Sequence, residues 1–284
     1  MKQKQHKSIF FHVGLPKAAS TFLQRNVFPN FNSIQFIKKH DFKHRDRIIE
    51  NTSCHKILMS IELNLDAEGG MAKLRDVAAK YPHTYPIIVL RKHGSWLKSK
   101  YKYYLRKHGD QHFDDYFDLD GDGVLELDNL LFYPKLKLLE SLFNHEPLVI
   151  FQEELKENPL ATIDMLANFM DVTYKNQDIQ IQHVKKSYSS RQLKAIRRFN
   201  RVYQYDHYSI RSKTLKFIYK KFSGLLLHSI AYISLAFPVR PAHKRPLIPQ
   251  QAIHKVDDAF REDWDQCIHY AGRQRNLLFS AQNK

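Results

Sequence analysis

Residues 9–23 read IFFHVGLPKAASTFL, and this stretch carries the strongest structural signal in the chain. Ile9–Val13 is a short run of β-branched and aromatic residues, which is typical of a buried strand. Gly14 then opens a turn of small residues, and a helix is expected over Thr21–Val27. Backbone N–H groups and the positive end of a helix dipole converge at such a junction, so the turn is predicted to bind an anion.

Four further apolar runs alternate with helix-like stretches along the chain, as in a series of βαβ units. The runs are Ile34–Ile37, Ile57–Ser60, Pro86–Leu90 and Leu148–Phe151. Because these runs are apolar almost throughout, the strands are expected to be covered on both faces. The sequence therefore predicts an α/β fold with a mainly parallel central sheet flanked by helices.

The chain changes character from about His183, where helical patterns predominate. Helices are predicted over Ser189–Tyr205, Ile210–Lys221, Leu225–Ala236 and Val256–Ala271. We therefore expect an α/β core over residues 1–205 and a helical C-terminal extension over residues 206–284 that packs on the core.

The charge balance points to an anionic partner. Among 284 residues, 45 Lys+Arg stand against 29 Asp+Glu, a formal net charge of +16. Nucleic acid, a phosphate-bearing small molecule and an anionic membrane surface all fit such a balance. Residues 183–221 are especially basic, and composition alone assigns them no role. The two cysteines, Cys54 and Cys267, do not make a disulfide framework, which favours a cytoplasmic location.

The turn after the first strand carries side chains suited to an anionic ligand. Lys17 supplies a point charge, and Ser20 and Thr21 supply hydroxyl donors. The order differs from that of a Walker A loop, because Lys17 precedes the small residues instead of following a glycine at the end of the motif. A nucleotide-dependent kinase of the P-loop type is therefore disfavoured. The alternative to an anion-binding loop is an ordinary βα turn without a ligand, in which Lys17 is solvated.

Residues 12–24, HVGLPKAASTFLQ, resemble the loop that holds the 5′-phosphosulfate in the sulfotransferase superfamily. These enzymes have a P-loop-like fold and transfer sulfuryl groups from 3′-phosphoadenosine 5′-phosphosulfate (PAPS). The family pattern reads Pro-Lys-x-Gly-[Ser/Thr]-[Ser/Thr], and Ala19 stands where Gly is usual, although alanine fits left-handed geometry less readily. The resemblance implies a catalytic Lys17 and contacts to PAPS from Lys17, Ala18, Ala19, Ser20, Thr21 and Phe22.

A second family signature follows the fourth predicted strand. Residues 87–101, IIVLRKHGSWLKSKY, supply Arg91 at the strand end and Ser99 eight residues later, a spacing that resembles the family's site for the 3′-phosphate of PAPS. An arginine can fork onto a phosphate. Ser95 is predicted to be the N-cap of the helix that carries Ser99. Val149–Val172 is similar to a further segment of the family.

Sulfuryl transfer also needs a general base for the acceptor hydroxyl. Glu62 follows the third predicted strand and is therefore expected at the carboxyl edge of the sheet, where ligands bind. The resemblance supports this choice, because related bacterial and polysaccharide-directed enzymes use a glutamate. His40, His44 and His55 are competing candidates, because cytosolic members of the superfamily use a histidine.

The resemblance implies a PAPS-dependent sulfotransferase, and we expect its acceptor to be a hydroxyl of a sugar, glycan or glycolipid. No metal is expected: Asp118–Gly123 resembles the start of an EF-hand loop, but Asn129 replaces the bidentate Glu at its last position. The aromatic and basic run Tyr101–Lys107 is compatible with base stacking. A basic nucleic-acid-binding protein is therefore the non-enzymatic alternative, disfavoured by the order of the two signatures.

Residues 222–239 form the longest uncharged stretch of the chain, between Lys221 and Arg240. Serine and proline within this stretch make it a poor membrane-spanning segment. An apolar helix with basic shoulders is suited to rest on an anionic membrane, and a buried helix of the C-terminal lobe is the alternative. Peripheral contact with the inner membrane face is one expectation for this segment.

Overall fold

The computed structural model describes residues 7–181, 187–203, 211–236 and 246–282. Each of the five predicted strands is present, with small shifts at the ends. The strands are β1 Ser8–Gly14, β2 Gln35–Ile37, β3 Lys56–Glu62, β4 Tyr85–Leu90 and β5 Leu148–Phe151. Most of their side chains are buried, on both faces of the sheet, which explains why the strand sequences are apolar almost throughout.

The five strands form one sheet in the order β2-β3-β1-β4-β5, and every neighbouring pair is parallel. The predicted α/β fold class is thereby confirmed. The chain leaves β1 toward β2 and β3 on one side, and it leaves β4 toward β5 on the other. A crevice therefore opens between the carboxyl ends of β1 and β4, and such a switch point is where open α/β sheets bind ligands.

Twelve α-helices are described. They are α1 Ser20–Phe22, α2 Arg45–Asn51, α3 Glu68–Lys80, α4 His93–Arg106, α5 Phe113–Tyr116, α6 Tyr133–Leu142, α7 Gln152–Glu157, α8 Pro159–Met170, α9 Ser190–Tyr203, α10 Lys213–Ile233, α11 Gln250–Ala259 and α12 Arg261–Gln282. A π-helix over Leu23–Val27 continues α1 directly. Short 3₁₀ turns cover Phe28–Asn30, Phe42–His44, Leu127–Leu130, Asn176–Asp178 and Ser234–Ala236.

The C-terminal helices differ from those expected. The two helices predicted over Ile210–Lys221 and Leu225–Ala236 are a single helix, α10, which runs through Gly224. A glycine within a helix costs only about 1 kcal/mol relative to alanine, which the packing of the surrounding apolar residues can offset. The helix predicted over Val256–Ala271 is instead divided between α11 and α12.

The chain forms two compact units. The first consists of Met1–Trp96, Asp128–Val184 and Asp257–Lys284, and it contains the whole sheet. The second consists of Leu97–Leu127 and Lys185–Val256, and it contains α9 and α10. The predicted boundary between residues 205 and 206 lies outside the described residues, so the division into 1–205 and 206–284 stays a prediction.

Candidate active site

The loop between β1 and α1 contains two residues in left-handed backbone geometry. Lys17 has a φ of 72° and Ala19 has a φ of 59°. For an L-amino acid this geometry costs roughly 1–2 kcal/mol. Hydrogen bonds hold the Ala19 turn in place, because the N–H of Phe22 donates to the Ala19 carbonyl at 2.9 Å. Ala19 therefore adopts the geometry that a glycine would favour, at the position where the sulfotransferase pattern has glycine.

The two predicted hydroxyl donors of this loop have different surroundings. Thr21 is exposed, whereas Ser20 is buried and its Oγ donates to the Leu15 carbonyl at 3.4 Å. The backbone here leaves no room for a larger residue at Gly14, since a Cβ would lie 2.5 Å from Ser20 Oγ. The Ser20 side chain thus lies within the loop, and Thr21 is the hydroxyl at its surface.

Arg91 joins the end of β4 to the loop after β1. Its Nη1 donates to the Lys17 carbonyl at 3.2 Å, and its Nε and Nη2 donate to Ser95 Oγ at 3.1 and 3.0 Å. The predicted N-cap role of Ser95 is wrong, because α4 begins at His93 and Ser95 lies in its first turn. The hydroxyl of Ser95 instead orients the guanidinium, and Arg91 stands beside Lys17 at the switch point of the sheet.

The electrostatic surroundings of Arg91 are dominated by desolvation. Partial burial lowers the pKa of Arg91, and the carboxylate of Glu153 opposes this shift. Burial and repulsion from Arg91 likewise lower the pKa of Lys156 on α7. Glu153 is held in place because its Oε1 accepts a hydrogen bond from the Lys92 N–H at 3.3 Å. Two cations therefore share one neighbouring carboxylate, which leaves this part of the edge positive.

Glu62 lies at the same edge of the sheet as the loop. It is the last residue of β3, directly opposite Gly14 in the parallel register, and the Leu63 N–H donates to the Gly14 carbonyl at 3.0 Å. Its carboxylate is partly exposed and lies 3.9 Å from Lys39 Nζ. The expected position of Glu62 at the carboxyl edge thus agrees with the sheet register.

The three competing histidines are placed differently. His55 precedes β3, and its backbone carbonyl accepts a hydrogen bond from the Ser8 N–H at the amino edge of the sheet. The length of β3 separates it from Glu62 by roughly 20 Å. His40 and His44 follow β2 and are exposed, and His40 Nε2 lies 3.1 Å from the Asp41 carboxylate. Of the three, His55 is therefore at the wrong edge of the sheet to serve the loop.

Ser99 lies on α4, one helical turn after Ser95, in the part of the helix that belongs to the second unit. The predicted contact of Ser99 with a 3′-phosphate stays a prediction.

Among the described residues, no group of three or more His, Cys, Asp or Glu side chains is arranged to hold a metal ion.

Two residues that support the loop were not expected from the sequence. Trp96 is buried, and its Nε1 donates to the Pro16 carbonyl at 2.8 Å. His12 lies on β1 beneath the loop, and its Nδ1 is 2.7 Å from Ser60 Oγ. The only sequence signal for His12 was a polar residue inside an apolar strand, which is the kind of buried polar group that needs an explanation.

His12 is held in the neutral form. It is fully buried, and desolvation lowers its pKa to about 3. Gln24 Nε2 donates to Ser60 Oγ at 2.9 Å, so the Ser60 hydroxyl hydrogen is free to donate to Nδ1 of His12. This arrangement places the histidine proton on Nε2, for which the described residues provide no hydrogen-bond partner. The imidazole therefore serves as a neutral support under the loop.

Comparison with known proteins gives the following. No family model and no curated protein matches the sequence. Among solved structures, the chain is similar to a sulfotransferase from Alicyclobacillus acidocaldarius, with 12% identity over 82% of this chain and 97% of that chain and a TM-score of 0.45. It is also similar to mouse sulfotransferase SULT7A1 complexed with PAP, with 13% identity over 60% of this chain and 61% of that chain and a TM-score of 0.35. Both TM-scores lie below 0.5, so the functional proposal depends on this chain's own residues.

Proposed function

We propose that this chain is a sulfotransferase that moves a sulfuryl group from PAPS to a hydroxyl acceptor. The observation that carries the proposal is the hydrogen bond from Arg91 to the Lys17 carbonyl. It joins the two signatures that resemble the sulfotransferase superfamily, which are 74 residues apart in the sequence, at the switch point where open α/β sheets commonly bind ligands. A plain βα turn with a solvated lysine would not require this contact.

The chemistry assigns a role to each side of the crevice. The acceptor oxygen attacks sulfur while the bond from sulfur to the phosphate oxygen breaks, so negative charge builds on the leaving phosphate. Lys17 is proposed to stabilise that charge, and the backbone and hydroxyls of residues 18–22 are proposed to cradle the 5′-phosphosulfate. Arg91 is proposed to hold the 3′-phosphate, with Ser99 as the second ligand. Such charge stabilisation and positioning dominate phosphoryl transfer as well.

Glu62 is proposed as the base that takes the acceptor proton. Its carboxylate stands at the end of β3, next to Gly14 at the start of the loop. The transferred proton would move from the acceptor hydroxyl to this carboxylate as the new O–S bond forms. His40 and His44 remain the alternatives at this edge of the sheet. The nearby Lys39 gives Glu62 a counter-charge that an acceptor would have to share.

The acceptor is proposed to be a hydroxyl of a sugar, glycan or glycolipid, and the protein is proposed to act in the cytoplasm. The co-substrate is proposed to be bound without a metal ion, because Lys17, Arg91 and Lys156 supply positive charge at the crevice. Contact with an anionic membrane through residues 222–239 would bring the protein to a lipid-linked acceptor.

The test is selective stabilisation by 3′-phosphoadenosine 5′-phosphate (PAP). PAP should raise the melting temperature more than AMP or ATP does, because only PAP offers a 3′-phosphate to Arg91. In the Arg91→Ala variant, this preference should disappear, with the affinity for PAP falling by about 10- to 100-fold, as expected for a charged hydrogen-bonding partner. Lys92→Ala, which removes the next side chain, is the matched control and should keep the preference. Equal stabilisation by PAP and AMP in the wild type would exclude the proposal.

A further inference from the structure

Helix α10 presents large apolar side chains to solvent. Leu215, Ile218, Phe222, Leu225 and Ile233 are each between 54% and 64% exposed. Their spacing in steps of three or four residues, with a longer step before Ile233, places them on one face of the helix. From Leu215 to Ile233 this face extends for about 27 Å along the helix axis. We call it the outer face of α10.

The inner face of α10 is already covered. Ser223, Leu227 and Ala231 are buried, and α9 packs against α10 within the second unit. The helix is therefore apolar on two faces, although only one of them contributes to the core. Within the described part of the chain, no helix is long and apolar enough to cross a bilayer.

The charges around the outer face are all of one sign. Helix α10 contains four lysines and α9 contains five lysines and arginines, and neither helix contains an aspartate or a glutamate. Lys221 is exposed at the border of the outer face, about 40° around the helix from Leu225, whereas Lys220 is exposed on the side away from it. Apolar side chains flanked by basic residues on a helix that lies flat are suited to a surface with an apolar interior and anionic head groups.

We propose that the outer face of α10 docks on an anionic membrane surface, with the helix lying in the plane of the interface. Charge complementarity favours this partner over a second copy of the chain, since a second α10 would bring four more lysines and no carboxylate. It is also favoured over nucleic acid, which has no apolar interior to cover Leu215, Ile218 and Leu225. The surface begins at Leu215, before the uncharged stretch, and it includes Ile218, which that stretch does not contain.

This inference deepens the membrane contact of the proposed function, and its test is separate from the transfer reaction, because vesicle binding is measured without PAPS or an acceptor. The full chain is mixed with vesicles of phosphatidylcholine alone, or of phosphatidylcholine with an equal amount of phosphatidylglycerol, and bound protein is measured by co-sedimentation. The wild type should bind the anionic vesicles at least about tenfold more strongly than the neutral ones at low salt, and high salt should reduce the difference.

Two pairs of substitutions separate the apolar and electrostatic contributions. Phe222→Gln with Leu225→Gln should weaken binding to anionic vesicles by about tenfold or more, because burial of two large apolar side chains is lost. Lys220→Gln with Lys221→Gln should weaken it by about fivefold or more, mainly through Lys221 at the border of the outer face, and should leave binding to neutral vesicles unchanged. The control is Val124→Gln, which removes an apolar side chain that is 59% exposed elsewhere in the second unit and should change nothing.

Three results would overturn the proposal. The first is equal binding to neutral and anionic vesicles. The second is no vesicle binding together with a dimer, seen by light scattering, that Phe222→Gln with Leu225→Gln dissolves, because the outer face would then bind a second copy. The third is retention of full vesicle binding by both double variants. Far-UV circular dichroism establishes that each variant keeps its helices, and the lysine pair still tests the proposal if the apolar pair does not fold.

Discussion

The loop after β1 and helix α10 are both basic, but they hold their charges in different ways. In the loop, the Arg91 guanidinium donates to the Lys17 carbonyl and to Ser95, and burial of Ser20 and Trp96 fixes the backbone. On α10, the lysines are spread along an exposed helix between apolar side chains. Charged groups that hydrogen bonds hold in one geometry can select one ligand shape. Lysines distributed along an exposed helix are attracted to any anionic surface. The same substitution should therefore have different consequences in the two regions.

The largest expected difference concerns catalysis. Lys17→Ala should lower the rate of PAP release from PAPS by about 1,000-fold, which is typical for loss of one preorganised donor to a developing negative charge. Lys220→Ala on α10 should change this rate by less than about twofold, because the Lys220 side chain is exposed and contacts no reacting group. Both variants should retain the wild-type circular dichroism spectrum. Comparable losses in the two variants would mean that Lys17 acts only through general charge.

The largest effect on folding stability is expected at acidic pH. The pKa of His12 is about 3 in the folded protein and 6.5 in the unfolded chain, so the unfolded chain binds this proton first as the pH falls. Folding stability should therefore be lost between about pH 6.5 and 3, by about 5 kcal/mol in total.

Urea unfolding of the wild type and of His12→Asn across this pH range isolates the contribution. The asparagine retains a polar atom near Ser60 but does not titrate, so the variant should lack this component of the pH dependence. Parallel stability curves for the two proteins would show that His12 is accessible to protons in the fold.

Glycine-to-alanine substitutions should have opposite signs in the two regions. Gly14→Ala should destabilise the protein by about 1–3 kcal/mol, because the new Cβ would lie 2.5 Å from Ser20 Oγ in a packed loop. Gly224→Ala should stabilise it by up to about 1 kcal/mol, because this helical glycine has open space around it and alanine favours the helix. Equilibrium unfolding in urea measures both. A neutral Gly14→Ala would mean that the loop can relax.

The smallest effect concerns the left-handed residue of the loop. Ala19→Gly should stabilise the protein by about 0.5–1 kcal/mol, because glycine adopts this geometry without the steric cost, offset in part by its greater freedom in the unfolded chain. Ala18→Gly is the control and should destabilise, because Ala18 is buried and has no positive φ. If both substitutions destabilise, the Ala19 methyl group makes a contact that outweighs its backbone strain.

The sheet could be predicted from the sequence because each strand is a continuous apolar run with its own local signal. Leu148–Phe151 coincides with β5, and the strand of the opening motif differs from β1 by one residue at each end. The common carboxyl edge of the parallel strands then followed from the fold class alone. Glu62 and Arg91 could be placed there because each one ends or directly follows a strand.

The supports of the site could not be predicted, because their partners are distant in the sequence. Trp96 binds a carbonyl 80 residues away, and His12 approaches a hydroxyl 48 residues away. Serine before a helix favours an N-cap role locally, whereas in the fold Ser95 Oγ accepts hydrogen bonds from Arg91. Similarly, the outer face of α10 depends on which side of the helix the second unit leaves uncovered.

The hydrogen bond from Trp96 to Pro16 attaches a natural fluorophore to the loop. The chain contains two tryptophans, and the other, Trp264, stacks edge-on against Phe151 at the end of β5. In a Trp264→Phe protein, all tryptophan emission would come from Trp96. A ligand that shifts the Pro16 carbonyl would alter the indole's polarity and emission maximum, so occupancy of the crevice could be followed optically in unlabelled protein.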